Sequence, residues 1–351
     1  MKILILTTKI CNSDGSPWLC SELAGHLALE GHEVSLVNIE WSGKNVDLSW
    51  LKKQKNINIY NFVALRYFNG SIGLGLRWLM SSLQALPLVL RWKYSGEKFD
   101  LLIGFSPCFA IWSVLPIFQK ICTKAILLYW DFFPLHNQTV ANKIPKYFLP
   151  LLKKAEERLV NGYKAIGLMS LANMRYCESY FNLSGDINRF VIPIWTSFLT
   201  PPDVDVAAVR QKYSMDYERI YFIFGGQLTR GRGLEVLLDS VILASSIDDR
   251  ITLIICGDGD LEDVVLDSAR INIGVIQHIG RIPRIDYLNL VACCDVGVIS
   301  TDQNVESPTF PSKILDYMAC RKPVVAALED ASDLGGIIEG INSGFPVVLE
   351  M

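Results

Sequence analysis

The chain has 351 residues, 50% of them hydrophobic and 20% charged, which is too long for one typical core and makes two α/β domains the expected organisation. A formal net charge of -3 argues against a nucleic acid held by bulk electrostatics, while leaving local basic patches open. Nine cysteines, scattered from Cys11 to Cys320 with no CxxC pair, build no disulfide framework and suit reduced thiols in a cytoplasmic protein.

Met1 leads directly into KILILTT with no signal-peptide pattern, and Lys2 to Thr8 reads as a buried parallel strand. Ser16 can cap and Pro17 can open a helix, Trp18 to Glu30, that stops at Gly31 before a strand from Glu33 to Ile39. This is a βαβ opening, and its loop Lys9 to Ser16 lies at the carboxyl end of the first strand, where open α/β sheets bind ligands. The loop has one glycine, Gly15, so the GxGxxG fingerprint is absent; Gly70, Gly73 and Gly75 have the wrong spacing and context.

Further strands are expected at Ile57 to Val63, Leu101 to Phe105, Ala125 to Tyr129, Ala165 to Met169 and Phe190 to Ile194. The apolar run Leu101 to Phe118 is broken by Pro107 and Pro116, and reads as a buried strand and a helix rather than a membrane span. A polar, turn-rich stretch with Pro201 and Pro202 marks a boundary: residues 1–197, a linker 198–215, and residues 216–351. The second half repeats the alternation, with strands at Ile220 to Phe224, Ile251 to Cys256, Val275 to Ile279, Val296 to Ser300, Val324 to Ala327 and Phe345 to Leu349. Helices follow Gly233, Asp260, Pro283, Ser312 and Ser332. Alternation of this kind predicts doubly wound parallel sheets.

The segment Glu306 to Ala327, ESPTFPSKILDYMACRKPVVAA, concentrates the chemistry. Helical spacing puts Lys313, Asp316 and Cys320 on one side, free for chemistry, and Ile314, Leu315 and Met318 on the other, facing the core. Ser312 is the expected N-cap, which would leave backbone N–H groups beside Lys313 for a phosphate. The alternative is a capped surface helix with a Lys313–Asp316 ion pair.

Five segments in order, GHEVSLV, GGQLTRGRGLEVLLDSV, LIICGDGDLEDV, HIGRIPRIDYLNLVACCDVGVIS and PSKILDYMACRKPVVA, resemble glycosyltransferase family 4. These are retaining, nucleotide-sugar-dependent enzymes, and the PSK pattern resembles one branch of them. The resemblance implies the GT-B fold, with two Rossmann-like domains facing across a cleft. It places Gln227 and Arg232 where the family grips the donor diphosphate with Arg and Lys, with Arg230 as a substitute cation; the alternative is that both arginines are solvated loop charges. Pro311, Ser312 and Lys313 form the PSK element, with Lys313 adding a cation near the diphosphate, and Asp316 falls on the ribose. The family's first glutamate position is Pro308, so Glu306 serves only if the loop is displaced.

In the first domain, Asp131 of YWDFFPLHNQ matches the family's acidic residue, with Trp130 where many relatives carry a His and His136 five positions on. Gly15, with Asp14 and Ser16, matches the loop that approaches donor and acceptor. Gly257 and Gly259 either bring the chain close to the nucleotide or make the turn. Family members continue beyond the strand matching Phe345 to Leu349, so the C-terminal part is short for the resemblance. Arg321 stands where relatives have Gly, a cost of ~1 to 2 kcal/mol if left-handed, so the helix is expected to end differently.

The implied activity is transfer of a sugar, with retention, from a nucleotide sugar (UDP-sugar favoured) to a lipid-linked or growing glycan acceptor in cell-surface polysaccharide synthesis. Fixed cations would stabilise the departing diphosphate without metal or other cofactor. Asp203-Val204-Asp205 is a literal DxD, read as solvated linker. Arg77 to Lys93 and Lys143 to Lys154 mix basic and large apolar residues, fitting either a peripheral protein on the cytoplasmic face of an anionic membrane or a core helix with a solvated face. A GT-B sugar-nucleotide epimerase and a catalytically weak sugar-nucleotide-binding subunit are the competing activities.

Overall fold

The structure is a computed structural model that describes residues 1–10, 19–40, 56–64, 80–134, 146–196 and 203–348. Gly15, Asp14, Ser16 and His136 lie outside them. The chain divides into two compact units, Met1–Pro193 and Ile194–Met351.

The first unit is built on seven strands: β1 (Lys2–Thr7), β2 (Glu33–Glu40), β3 (Ile57–Val63), β4 (Phe99–Phe105), β5 (Cys122–Leu128), β6 (Ala165–Leu168) and β7 (Asn188–Val191). Their order is β3-β2-β1-β4-β5-β6-β7, with every pairing parallel. β1 registers with both β2 and β4, and its run Ile3 to Leu6 is buried on both faces, which is why it is continuously apolar. The run Leu101 to Phe118 resolves into β4, a 3-10 turn at Cys108–Ile111 and the start of the helix Leu115–Ile121, as its two prolines indicate. β7 begins and ends earlier than expected.

The second unit holds β8 (Ile220–Gly225), β9 (Ile251–Cys256), β10 (Ile276–Gly280), β11 (Val296–Ser300), β12 (Val324–Leu328) and β13 (Gly344–Val348). They run parallel in the order β10-β9-β8-β11-β12-β13. Side chains alternate between two cores, as a period of two requires. Tyr221, Ile223, Ile254 and Cys256 pack toward the helices Arg284–Cys293, Lys313–Ala319 and Leu334–Gly340. Phe224, Leu253 and Ile255 pack toward the helices Leu234–Ile247 and Glu262–Ile271. The strand order reverses at β8 and β11, so their carboxyl ends form the topological switch point where such sheets bind ligands.

Residues 203–215 belong to this second unit. Asp205 is exposed, and its carboxylate accepts the Ala208 N–H at 3.0 Å and caps the helix Val206–Lys212. Tyr213 and Met215 are buried in the same core.

Candidate functional site

The loop after β8 is held backbone to backbone. Gly226 N–H donates to the Cys256 carbonyl at 2.9 Å, Leu228 N–H to Asp258 at 2.8 Å, and Leu261 N–H returns to Leu228 at 2.8 Å. That zipper explains the glycines of CGDGD. At Gly257 (φ 152°) a Cβ would lie 1.8 Å from the Gly226 carbonyl oxygen, and at Gly259 (φ 156°) 2.3 Å from that of Leu228. The loop's far end is tied to β11: Asp302 N–H donates to the Gly231 carbonyl at 3.1 Å, and the Ser300 hydroxyl donates to the Gly233 carbonyl at 3.0 Å. Gln227 and Arg230 are exposed on this frame, whereas Arg232 is half-buried.

Lys313 reaches into the same place from its helix. Its Nζ sits 3.7 Å from the centre of the Phe224 ring, a cation–π contact at the end of β8, and alongside Gly226. Desolvation, and then repulsion from the Arg232 guanidinium, push its pKa well below the ordinary lysine range. Arg232, in the loop after β8, is near enough for its charge to act on Lys313.

Three expectations for this helix fail. Ser312 has helical backbone angles and makes no side-chain cap hydrogen bond, because the first turn is closed by its neighbours: Ile314 N–H bonds to Pro311 and Leu315 N–H to Ser312. The helix is also turned. Met318 is 45% exposed, whereas Asp316 and Cys320 are only 8% and 7% exposed, so the side expected to be free faces inward. Tyr317 is the reason: its ring is fully buried and its hydroxyl lies 3.0 Å from both the Ile223 and Val298 carbonyls, sharing its one proton between them and locking the helix over β8 and β11. Finally, the helix ends as a glycine would end it. Arg321 has φ 55°, with Lys322 N–H on the Tyr317 carbonyl at 2.9 Å and Arg321 N–H on Met318 at 3.0 Å, a Schellman turn with a non-glycine residue in the left-handed position.

Asp316 is paired with Arg284 rather than with Lys313. Arg284 places its two terminal nitrogens 2.7 Å and 3.4 Å from the two carboxylate oxygens, a fork that bridges the helix to the start of the helix Arg284–Cys293. Glu306 is exposed on the loop before the helix. The carboxylate on which that loop turns is Glu329, at the end of β12. It is buried, accepts the Thr309 N–H at 2.6 Å and the Thr301 hydroxyl, and leaves Ser332 to hold the Thr309 carbonyl at 2.9 Å. Pro308 and Pro311 are buried in this stapled loop. Arg284 and Glu329 carried no signal in the sequence, since each is defined by a partner far along the chain.

Asp131 belongs to the first unit. It is exposed on the turn after β5, with its N–H and that of Trp130 donating to the Ser106 hydroxyl at 3.3 Å and 3.2 Å. The turn after β4 is fixed by Glu156, a fully buried carboxylate that accepts the N–H groups of Cys108 at 2.7 Å and Phe109 at 2.5 Å. Burial raises the Glu156 pKa to about 7 against the lowering effect of those bonds.

Comparison with known proteins agrees with this fold. Residues 219–348 match the family described as Glycosyl transferases group 1. A curated relative, the probable glycosyltransferase WbjE of Pseudomonas aeruginosa, is 27% identical over 125 residues, which cover 35% of this chain and 31% of that protein. Among solved structures, HepE of Anabaena in complex with UDP is 18% identical with a TM-score of 0.66, covering 99% of this chain and 86% of that one. WaaG, a glycosyltransferase involved in lipopolysaccharide biosynthesis, is 13% identical with a TM-score of 0.62, covering 98% and 85%. The chain has the GT-B architecture of two Rossmann-like domains, and residues 219–348 of its second unit are similar to the Glycosyl transferases group 1 family.

Proposed function

We propose that the chain is a glycosyltransferase whose second unit binds a nucleotide sugar at the end of β8. The observation that carries this reading is the Lys313 ammonium held over the Phe224 ring at the end of β8, where desolvation and the charge of Arg232 depress its pKa. A buried ammonium whose charge is disfavoured by desolvation is relieved by an anion, and a diphosphate suits it. Asp316 lies one helical turn from Lys313, about 5 to 6 Å along the surface, which suits the ribose of the same nucleotide. UDP-sugar is the favoured donor because the structurally similar HepE was solved with UDP and with UDP and glucose.

In the transfer, Lys313 and Arg232 stabilise the charge that grows on the departing diphosphate, and no metal is required. Asp131 acts on the first unit's side, at the acceptor, and the anomeric configuration is retained. A lipid-linked or growing glycan is the proposed acceptor, in line with the lipopolysaccharide role of the structural neighbour WaaG. Calorimetry with UDP-, GDP-, ADP- and CMP-sugars tests the donor site: binding of one of them that is lost in Lys313→Ala supports the reading, and binding of none overturns it. Transfer that stops with chelator and returns with Mn²⁺ would overturn the metal-free step. A catalytically weak binding subunit is the second reading, favoured by Gln227 and Pro308 in place of the family's Arg and Glu. Binding without turnover on an acceptor panel would support it.

The acceptor side rests on an anionic membrane in this proposal, on the cytoplasmic face. Of the two basic-apolar stretches, the described part of the first buries Ala85, Val89 and Trp92 in the core. The second leaves Tyr147 76% and Leu151 63% exposed, with Phe148 beside them and exposed Lys146 and Lys154 at the flanks. No helix among the described residues is long and apolar enough to cross a membrane. Co-sedimentation with phosphatidylglycerol liposomes at low salt, lost in Tyr147→Ser/Leu151→Ser, is the expected result.

A further inference from the structure

Two turns at the carboxyl end of the first sheet meet one face of the helix Leu149–Val160. The turn after β4 gives the N–H groups of Cys108 and Phe109 to the two oxygens of Glu156, and the Ser106 N–H to the Leu128 carbonyl of β5 at 3.1 Å. The turn after β5 gives the N–H groups of Trp130 and Asp131 to the Ser106 hydroxyl, and that of Phe133 to the Tyr129 hydroxyl at 3.3 Å. The Phe109 and Phe133 rings stack with centres 5.9 Å apart and planes 12° from parallel, and Leu152 packs into the same cluster one helical turn before Glu156. A fully buried carboxylate is a costly way to hold a loop, and a neutral side chain of that shape would avoid the cost, so stability gives a weak account of it. The two adjacent N–H groups give a better one. A glutamine offers one accepting oxygen and turns its amide nitrogen toward the second donor, whereas a carboxylate accepts at both ends.

We infer that Glu156 is the positioning residue for Asp131: it fixes the turn after β4, and the Ser106 hydroxyl on that turn fixes the backbone of Asp131 at the carboxyl end of the sheet. The inference rests on the reading that places Asp131 at the acceptor. Ser106 uses both lone pairs of its hydroxyl on the Trp130 and Asp131 amides, so Asp131 moves with the turn that Glu156 holds. Glu156 itself is enclosed and meets no substrate. Its effect is on place alone, and a misplacement of about 1 Å is enough to lower a rate roughly a hundredfold.

The test is hydrogen–deuterium exchange on the full chain without ligand, resolved to single amides. Glu156→Gln should speed exchange at Cys108, Phe109, Trp130 and Asp131 by about tenfold or more, the worth of a hydrogen bond to a charged group, while β1 and the second unit keep wild-type protection. Ser106→Ala should speed Trp130 and Asp131 and leave Cys108 and Phe109 protected, and adding Glu156→Gln to it should not speed Trp130 and Asp131 further. Faster exchange at Cys108 and Phe109 with Trp130 and Asp131 unchanged overturns the inference. So does an equal loss of protection throughout the first unit, which is what a merely structural role would give. In turnover of UDP-glucose, read as release of UDP, Glu156→Gln should lower kcat by about tenfold or more with KM unchanged, and should cost nothing further in Asp131→Asn. A loss that adds in full to that of Asp131→Asn overturns the inference as well. UDP release undiminished in Asp131→Asn overturns instead the reading of Asp131 at the acceptor; it leaves the exchange pattern as it stands, so the two failures are distinguishable.

Discussion

Lys313 holds its ammonium nitrogen 3.7 Å from the centre of the Phe224 ring, within reach of the charge of Arg232. Desolvation and the neighbouring cation depress its pKa in the folded state. For a lysine this is a penalty on folding at neutral pH, where the unfolded side chain is charged, and it fades as pH rises toward the unfolded value. Lys313→Met, which keeps the packing of the stem, should therefore raise the stability of the unliganded protein at pH 7, by about 1.4 kcal/mol for each pKa unit relieved. The gain should shrink with rising pH, and the variant should lose affinity for UDP. Thermal melts from pH 6 to 10, with calorimetry at pH 7, measure both.

Gly257→Ala should be among the costliest small substitutions in the second unit. A Cβ there meets the Gly226 carbonyl oxygen at 1.8 Å, and the backbone that must give way carries the site's own floor. A loss of about 2 kcal/mol or more is expected, with weakened nucleotide binding. Gly336→Ala is the control: it lies inside the helix Leu334–Gly340 with nothing within 4 Å of the added Cβ, and should stabilise by roughly 0.5 to 1 kcal/mol. Urea denaturation distinguishes the two.

Glu156 makes folding sensitive to pH near neutrality. Its folded pKa is raised to about 7 from 4.5. The native state therefore binds the proton more tightly than the unfolded chain, and stability should fall as pH rises from about 4.5 through 7. The slope amounts to as much as about 3 kcal/mol over that window. Glu156→Gln, which cannot ionise, should flatten it. Denaturant titrations at half-unit pH steps report the slope directly.

Arg321→Gly should stabilise the protein by about 1 kcal/mol, since the left-handed turn it occupies is free of cost only for glycine. The turn after the helix Leu19–Leu29 supplies the comparison: Gly31 at φ 85° makes the same closing bond, His32 N–H to the Leu27 carbonyl at 3.1 Å. Gly31→Arg should cost a similar amount in the unfolding midpoint.

Each strand expected from the sequence has its counterpart among the described residues, because a parallel strand buried on both faces must be an apolar run with turn residues at its ends. Ile251–Cys256 and Val296–Ser300 were legible to the residue. The orientation of Lys313–Ala319 was not. Over two turns, an apolar stripe of Ile314, Leu315 and Met318 looks as good as Ile314 with Tyr317, and the hydrogen bonds of the Tyr317 hydroxyl to two strands decide between them. Arg284, Glu329 and Glu156 were missed for a related reason. A charge that is buried because of a partner on another element looks, in sequence, like any solvated one. The DxD at Asp203 drew attention by spelling alone, and a helix cap accounts for its second aspartate.

The zipper between the β8 loop and the CGDGD turn uses carbonyls and amides on both sides, so its shape depends on no side chain at Gln227 or Arg230. Those two positions can change charge, size or polarity without refolding the loop beneath them. Sequence change at these two exposed positions is therefore separable from the stability of the loop, which would let whatever meets this surface be retuned by surface steps alone.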